Sequence, residues 1–298
     1  MTPVTMEISA AMTNTTQTEP TYQLSHEDVM RTVNAIPPLP PSVVQLNKIF
    51  SDPNYEFADL VRAVELDASL SGKLLRLANS ARRCPGGVGS IREAVVQLGS
   101  GTVKSVAMAH CVRPQPGMDL SAFDMTPESY WKHSVTVVCY AEELMAQGVA
   151  QFGDEFSVAA LLHDYGKIVL VAHLTPEHCS LLHQIDLGIS APDLERAILS
   201  IDHAEVSAVV AREWNLPEQL VNSIQHHHRP NLFDHPLCHG LNVANQLAQH
   251  LESTDDDRRP ETIARCLSTE ALRLTPDRLK DVSEQGAVRL KQALEAYT

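Results

Sequence analysis

Apolar residues recur at helical spacing through most of the chain. Val43, Leu46, Ile49 and Phe50 are followed by Leu60, Ala63 and Val64, and then by Leu70, Leu74 and Leu77. Steps of three and four place each set on one face of a helix. Pro and Gly punctuate these segments at "DPNY", "CPGGVGS" and "LGSGT", so short helices are expected one after another. No stretch alternates with a period of two between turn signals, and the sequence predicts an all-α fold. Gly99 reads as a helix C-cap. "TPESYWKHSVTVVCYAEELMAQG" carries a full helix signature, with Thr126 as N-cap, Pro127 at the first helical position and Gly148 at the end. Further helices are expected at Glu155 to Ala172, Pro192 to Ile201, His203 to Trp214, Pro217 to His227 and Leu237 to His250. After the charged linker "ESTDDDRRP", "TPDRLKDVSEQGAVRLKQALEAY" predicts terminal amphipathic helices.

The ends of the pattern look different. Thr, Asn, Gln and Ser dominate up to Tyr22, and residues 1–22 offer too little to bury, which predicts a disordered leader. "IPPLPPS" then excludes helix and reads as a stiff lead-in, although its P-x-x-P spacing also suits an SH3 ligand.

Composition narrows the function. Across 298 residues, 23 Lys and Arg stand against 37 Asp and Glu, a formal charge of −14 that opposes general nucleic-acid binding. Arg76, Arg82, Arg83, Arg92 and Lys104 are the one local basic grouping against that trend. Six cysteines are scattered without a C-x-x-C pair, which fits reduced thiols in a cytoplasm. The first twenty residues have neither the basic region nor the apolar run of a signal peptide, and no segment supplies the roughly 20 apolar residues of a membrane span. "GSGTVKS" fails as a phosphate-binding loop, because Val103 precedes Lys104 and the segment before it is helical.

Histidine placement carries the chemistry. His133 shares a stripe with Val137, Tyr140 and Leu144, while His163 and Asp164 follow Leu161 and Leu162. His203 lines up with Val206 and Val210, and the stripe Leu220, Ile224 runs into His227 and His228. Imidazoles and a carboxylate on apolar faces are costly unless paired or bound to metal. A His/Asp set drawn from several helices suits a divalent transition metal such as Fe, Mn, Zn or Ni. The expected ligands are His163 and Asp164 with His133, His203 and one or both of His227 and His228, sharing a single ion; the alternative is a hydrogen-bonded relic without metal.

The order His133, His163–Asp164, His203, His227–His228 resembles the ligand order of HD-domain metal-dependent phosphohydrolases. "LLHDYGK" is close to the form in HD-GYP cyclic-di-GMP phosphodiesterases, which would make Lys167 a phosphate contact; a lysine on a helix surface is the alternative. "IPPLPPSVVQLNKIF", "VELDASLSGKLLRLANSA", "SIREAVVQLG" and "DHAEVSAVVAREWNLPEQLVNSIQHHHRP" are similar to the HDOD domain, the HD-related output domain of bacterial signalling proteins. That resemblance covers about residues 29–250 of an expected domain at 23–250. It implies an N-terminal bundle of short helices (about 23–118) joined to an HD-like helical half (about 124–250), followed by a linker and C-terminal helices (251–298).

The resemblance also implies a signalling relay acting on a protein partner, generally without catalysis. The family pattern places the last metal ligand, an aspartate, at Asn245, and the HD-GYP segment "HHExxDGxGYP" is replaced by "HHHRPNLFDHP". Asp202 or Glu205 is a candidate for the missing charge. The expected function is therefore a non-enzymatic signalling module. The alternative is a metal-dependent phosphohydrolase acting on a nucleotide or cyclic dinucleotide. Arg82 and Arg83, beside the Gly-rich loop, are the expected interaction surface.

Overall fold

The structure is a computed structural model that describes residues 26–35, 45–46, 48–49, 54–80, 87–103, 106–107, 114, 117–149, 152, 155–182, 190–252 and 263–297. Every regular element among the described residues is helical. Helix α1 spans His26–Ala35, and the N-terminal half continues with α2 (Phe57–Glu65), α3 (Ala68–Ser80) and α4 (Ile91–Leu98). The second half holds α5 (Pro127–Ala146), α6 (Glu155–Leu162), α7 (Tyr165–Leu170), α8 (Pro176–Leu182), α9 (Ala191–Leu199), α10 (His203–Glu213), α11 (Glu218–Gln225) and α12 (Pro236–Glu252). Two helices close the chain, α13 (Leu267–Ala271) and α14 (Pro276–Tyr297).

Local chemistry explains the best-defined boundaries. Thr126 accepts from the Ser129 amide at 3.0 Å and Ser129 Oγ accepts from the Thr126 amide at 2.8 Å, a reciprocal cap at the start of α5. Caps of this kind contribute about 1 kcal/mol. Asp202 and Glu205 make the same exchange at the start of α10. Gly99 and Gly148 take positive φ where α4 and α5 end, a region that costs other residues strain.

The two halves share one core. Leu60, Leu70 and Leu74 of the first belong to the same apolar cluster as Val137, Leu161, Val206 and Leu247 of the second. Each fully buried leucine contributes about 1.5–3 kcal/mol. The ends of the described chain lace the halves together. Helix α1 packs against α7 and α10 of the second half, whereas α14 lies along α5 and also reaches α3. Leu290 of α14 buries against Trp131, Val135 and Cys139 on the side of α5 away from the main core. Gly286 sits so close to the Tyr140 ring that a Cβ there would lie 2.3 Å from it.

One expected helix is broken. Residues Glu155 to Ala172 form α6, a turn at His163–Asp164, α7 and a 3-10 turn at Val171–His173. The break is a tertiary effect. A Cβ on Gly166 would lie 2.0 Å from the His203 carbonyl oxygen, and the Gly166 amide donates to Ser207 Oγ at 2.7 Å. Helix α7 is therefore seated directly on α10, and the chain must turn at His163–Asp164 to put it there. The leader, "IPPLPPS", Arg82, Arg83, Lys104 and most of the charged linker lie outside the described residues.

Candidate metal centre

Six residues expected to come together do so, at the ends of helices more than in their middles. His133 lies within α5, but His163 and Asp164 occupy the turn after α6, His203 is the first residue of α10, and His227 and His228 follow the last turn of α11. Those locations have a physical cause, because the last carbonyls of a helix lack partners within it. The Nδ1 of His163 donates to the Ala160 carbonyl at 2.8 Å, and that of His227 to the Ile224 carbonyl at 2.7 Å. Each imidazole thereby caps its own helix and carries its proton on Nδ1, which leaves Nε2 as an acceptor.

Carboxylates do the same for two others. His203 Nδ1 is 2.6 Å from Glu195 Oε2, which also accepts the His203 amide at 2.7 Å, and His133 Nδ1 is 2.9 Å from Glu252 Oε2. Glu195 is almost fully buried, whereas the Glu252 side chain is 32 % exposed. Four imidazoles thus hold an outer partner on Nδ1, the arrangement that orients histidine ligands of metals.

All four Nε2 atoms face Asp164. Those of His203, His163 and His227 lie 3.1, 3.3 and 3.8 Å from Asp164 Oδ1, and that of His133 lies 3.7 Å from Oδ2. His203 Nε2 is also 3.0 Å from His228 Nε2. Two donor groups result, each with its atoms within 4.8 Å of one another: Asp164 with His203, His227 and His228, and Asp164 with His133 and His163. The two groups overlap at Asp164.

The polar accounting inside this cluster does not close. Asp164 Oδ1 and His227 Nε2 of the cluster, and Asn245 Oδ1 on α12, are buried and have no hydrogen-bond partner among the described residues. An orphaned buried polar atom costs about 1–3 kcal/mol. The imidazole nitrogens of either group, with the orphaned carboxylate oxygen, fit a divalent transition metal in donor type. Asn245, on α12, is buried beside this set of elements and offers a neutral oxygen at the position where the family pattern has aspartate.

The charges are divided. Burial opposes ionisation of Asp164, yet His163, Lys167 and His203 outweigh it and hold its carboxyl well below the usual range. Burial pulls His203 down, but Glu195 and Asp164 raise it to about 9. Burial lowers His163 to about 4 and drives His227 and His228 well below the ordinary imidazole value.

Lys167 is not a free surface lysine. Its Nζ lies 2.7 Å from Asp164 Oδ2, with the side chain only 13 % exposed. Nor do Asp202 and Glu205 supply the missing carboxylate. Both are 2.8 Å from the Arg196 guanidinium and cap α10, so their charges are spent outside the ligand set. Sequence reasoning missed Glu195 and Glu252. Glu195 left one signal, an acid beside Leu194 on a face with Ile198 and Leu199, whereas Glu252 reaches His133 across 119 residues and left none.

The chain is similar to known proteins over most of its length. The HDOD domain family model matches residues 36–230. A curated relative, an uncharacterized protein of Treponema pallidum (strain Nichols), is 27 % identical over 273 residues, which make up 85 % of this chain and 50 % of the relative. The chain thus spans about half the length of the curated relative it matches. A crystal structure from Shewanella amazonensis SB2B with the provisional name phosphohydrolase is similar at 25 % identity and a TM-score of 0.67, covering 90 % of this chain and 96 % of that one. An HDOD domain protein of unknown function from Geobacter sulfurreducens is similar at 18 % identity and a TM-score of 0.70, covering 89 % and 97 %.

Proposed function

The chain belongs to the HDOD domain family, and on that premise we propose that it is a signalling output module whose His/Asp centre holds a divalent metal without turning over substrate. The observation that carries the reading is the orphaned Asp164 Oδ1 at the focus of the Nε2 atoms of His163, His203 and His227. A bound ion supplies positive charge to the buried donors and ties α5, the α6–α7 turn, α10 and the α11 turn to one point. The chain's own residues orient those donors: Glu195 and Glu252 fix His203 and His133, and main-chain carbonyls fix His163 and His227.

Three features speak against hydrolysis. Asn245 contributes no charge to the centre, the "HHHRPNLFDHP" segment lacks the HD-GYP pattern, and Asp202 and Glu205 are committed to Arg196. The output is then contact with a signalling protein partner, and Arg82 and Arg83 are the residues we assign to it. Charge reversal at both should weaken capture of the native partner with the fold intact, and unchanged capture would place the surface elsewhere. No helix among the described residues is long and apolar enough to cross a membrane.

The test is elemental analysis of the purified protein together with assays on cyclic-di-GMP and a generic phosphodiester. Stoichiometric metal with no enzyme-like turnover is expected. The second reading, a metal-dependent phosphohydrolase, takes the reaction from the name of the Shewanella structure and the metal from the His/Asp donors. Metal-dependent turnover that disappears in both His163→Ala and Asp164→Ala would establish it instead.

A further inference from the structure

Helix α14 is anchored unequally along its length. Leu279 and Val282, in its first two turns, are fully buried and belong to the main apolar core. Leu290 instead joins a separate small cluster with Trp131, Val135 and Cys139 of α5, and Ala293 and Leu294 pack beside it. Between these two anchors Gly286 lies flush on the Tyr140 ring. The helices run antiparallel, since Arg278 donates to the Gln147 carbonyl at 2.6 Å, just past the far end of α5.

The stripe Trp131, Val135, Cys139 continues at helical spacing to an acid. Glu142 follows Cys139 by three residues with its side chain 17 % exposed, and Glu143 stands beside it at 10 %. One cation meets both. Arg289 Nη2 and Nε donate to Glu143 Oε2 at 3.1 and 3.4 Å, and Gln147 Nε2 donates to Glu143 Oε1 at 3.0 Å. Glu142 has only Arg289 Nη1 at 3.6 Å, beyond hydrogen-bond reach. Two carboxylates on one guanidinium leave a negative charge unmatched when both acids are ionised, where little water screens it.

We infer that the second half of α14 is a proton-operated latch, closed on α5 when Glu142 carries a proton and loosened when Glu142 is ionised. Burial pushes the Glu142 carboxyl up to about 6, against the pull of Arg289. The closed form therefore takes up a proton more readily than the open one, and closing strengthens as pH falls from neutrality through that value. Other titratable groups stand on the surrounding elements. Cys139 and Tyr140 of α5 are both pushed up by burial, Glu252 of α12 acts on Tyr140 and pairs with His133, His250 lies in the last turn of α12, and Glu155 opens α6. Lys73 and Arg76 lie on α3, which packs on α14. Because α14 touches α3 of the N-terminal half as well as α5, a proton taken up at Glu142 tightens a tie between the two halves. Neither the latch nor its test depends on a metal in the His/Asp centre.

The experiment follows hydrogen–deuterium exchange by mass spectrometry in full-length protein at pH 5 and pH 7.5, with each rate corrected for the pH dependence of a free amide. Amides of residues 287–294 are expected to be about tenfold better protected at pH 5 than at pH 7.5, a gain absent from residues 239–248 of α12. Glu142→Gln should show the high protection at both pH values, and Glu142→Leu, which extends the apolar stripe, should match it. Arg289→Gln, which takes away the cation, should lower protection at pH 7.5 and widen the gap. Equal protection of residues 287–294 at the two pH values in wild type, a gap that survives in both Glu142 variants, or an equal gain in α12 would overturn the inference.

Discussion

Two buried histidine clusters in this chain differ in one respect that separates a binding site from a fastener. His239, on α12, has both ring nitrogens satisfied, with Nδ1 3.1 Å from Ser268 Oγ and Nε2 2.9 Å from Asp234 Oδ1. Ser268 is fully buried, so this Ser–His–Asp series offers no approach to a substrate, and it ties α13 to α12. In the other cluster each of four imidazoles has an outer partner on Nδ1, and their Nε2 atoms converge on an acid whose Oδ1 is left over. Burial of histidine is common to both. The lesson is that separate partners on both nitrogens mark a structural histidine, and inner nitrogens that crowd one another around an unsatisfied acid mark a ligand set.

The strongest way to break that comparison is to remove the acid from each cluster. Asp164→Ala leaves the nearly buried Lys167 ammonium without its counter-charge, while Glu195 still pairs with His203, and costs about 3–5 kcal/mol. Asp234, 89 % exposed, should cost less than about 1 kcal/mol when replaced by alanine. Denaturant unfolding of the two variants measures the gap, and similar losses would mean that the clusters are alike in kind.

Chelation comes next. An ion present at a hundredfold over its dissociation constant adds about 2.7 kcal/mol to the folded state. Its removal should lower the melting temperature by several degrees, at roughly 2–4 °C per kcal/mol. His163→Ala should abolish that chelator sensitivity and His239→Ala should retain it. A chelator that leaves wild-type melting unchanged would reduce the Asp164 cluster to a hydrogen-bonded relic.

What the sequence made legible follows from the range of each interaction. The start and end of α5 were readable because Thr126, Pro127, Ser129 and Gly148 act within a turn of one another. The inward faces carrying His133, His203 and the run to His227 were readable from apolar spacing alone, and all three are buried. The turn at His163–Asp164 was not readable, because Val158 to Leu174 is apolar enough for one continuous helix and the turn is imposed by α10, some forty residues on. Glu195 and Glu252 escaped for the same reason. Periodicity reports which face is inward, and it says nothing of which partner waits there.

Acid and base sharpen the comparison in chelator-treated protein. His163 titrates at about 4 when folded and near 6.5 when unfolded, so the unfolded chain binds more protons between those values and stability falls as pH drops through that window. His203 titrates at about 9, so the folded chain holds more protons above 6.5 and its contribution is lost as pH rises towards 9. The two slopes meet near pH 6.5, where the metal-free protein should be most stable. The loss is on the order of 1 kcal/mol per pH unit on the basic side. It is steeper on the acid side, where His227 and His228, also lowered by burial, add to His163. Denaturant midpoints measured from pH 5 to 9 decide this. A flat profile would show that the inner nitrogens are already partnered in the absence of metal.

The smallest effect belongs to the fastener. Ser268→Ala removes the partner of His239 Nδ1 and leaves its Nε2 on Asp234. A single neutral hydrogen bond is worth about 1 kcal/mol, somewhat more when the remaining nitrogen is stranded in a dry pocket. The loss should appear as a drop of a few degrees in melting, equal in the presence and absence of chelator, because α13 packs on α12 at a distance in sequence from every proposed ligand. It should also leave the metal content unchanged. If Ser268→Ala altered metal content or chelator sensitivity, the two histidine clusters would be one coupled system, and the division between fastener and binding site drawn from nitrogen saturation would fail.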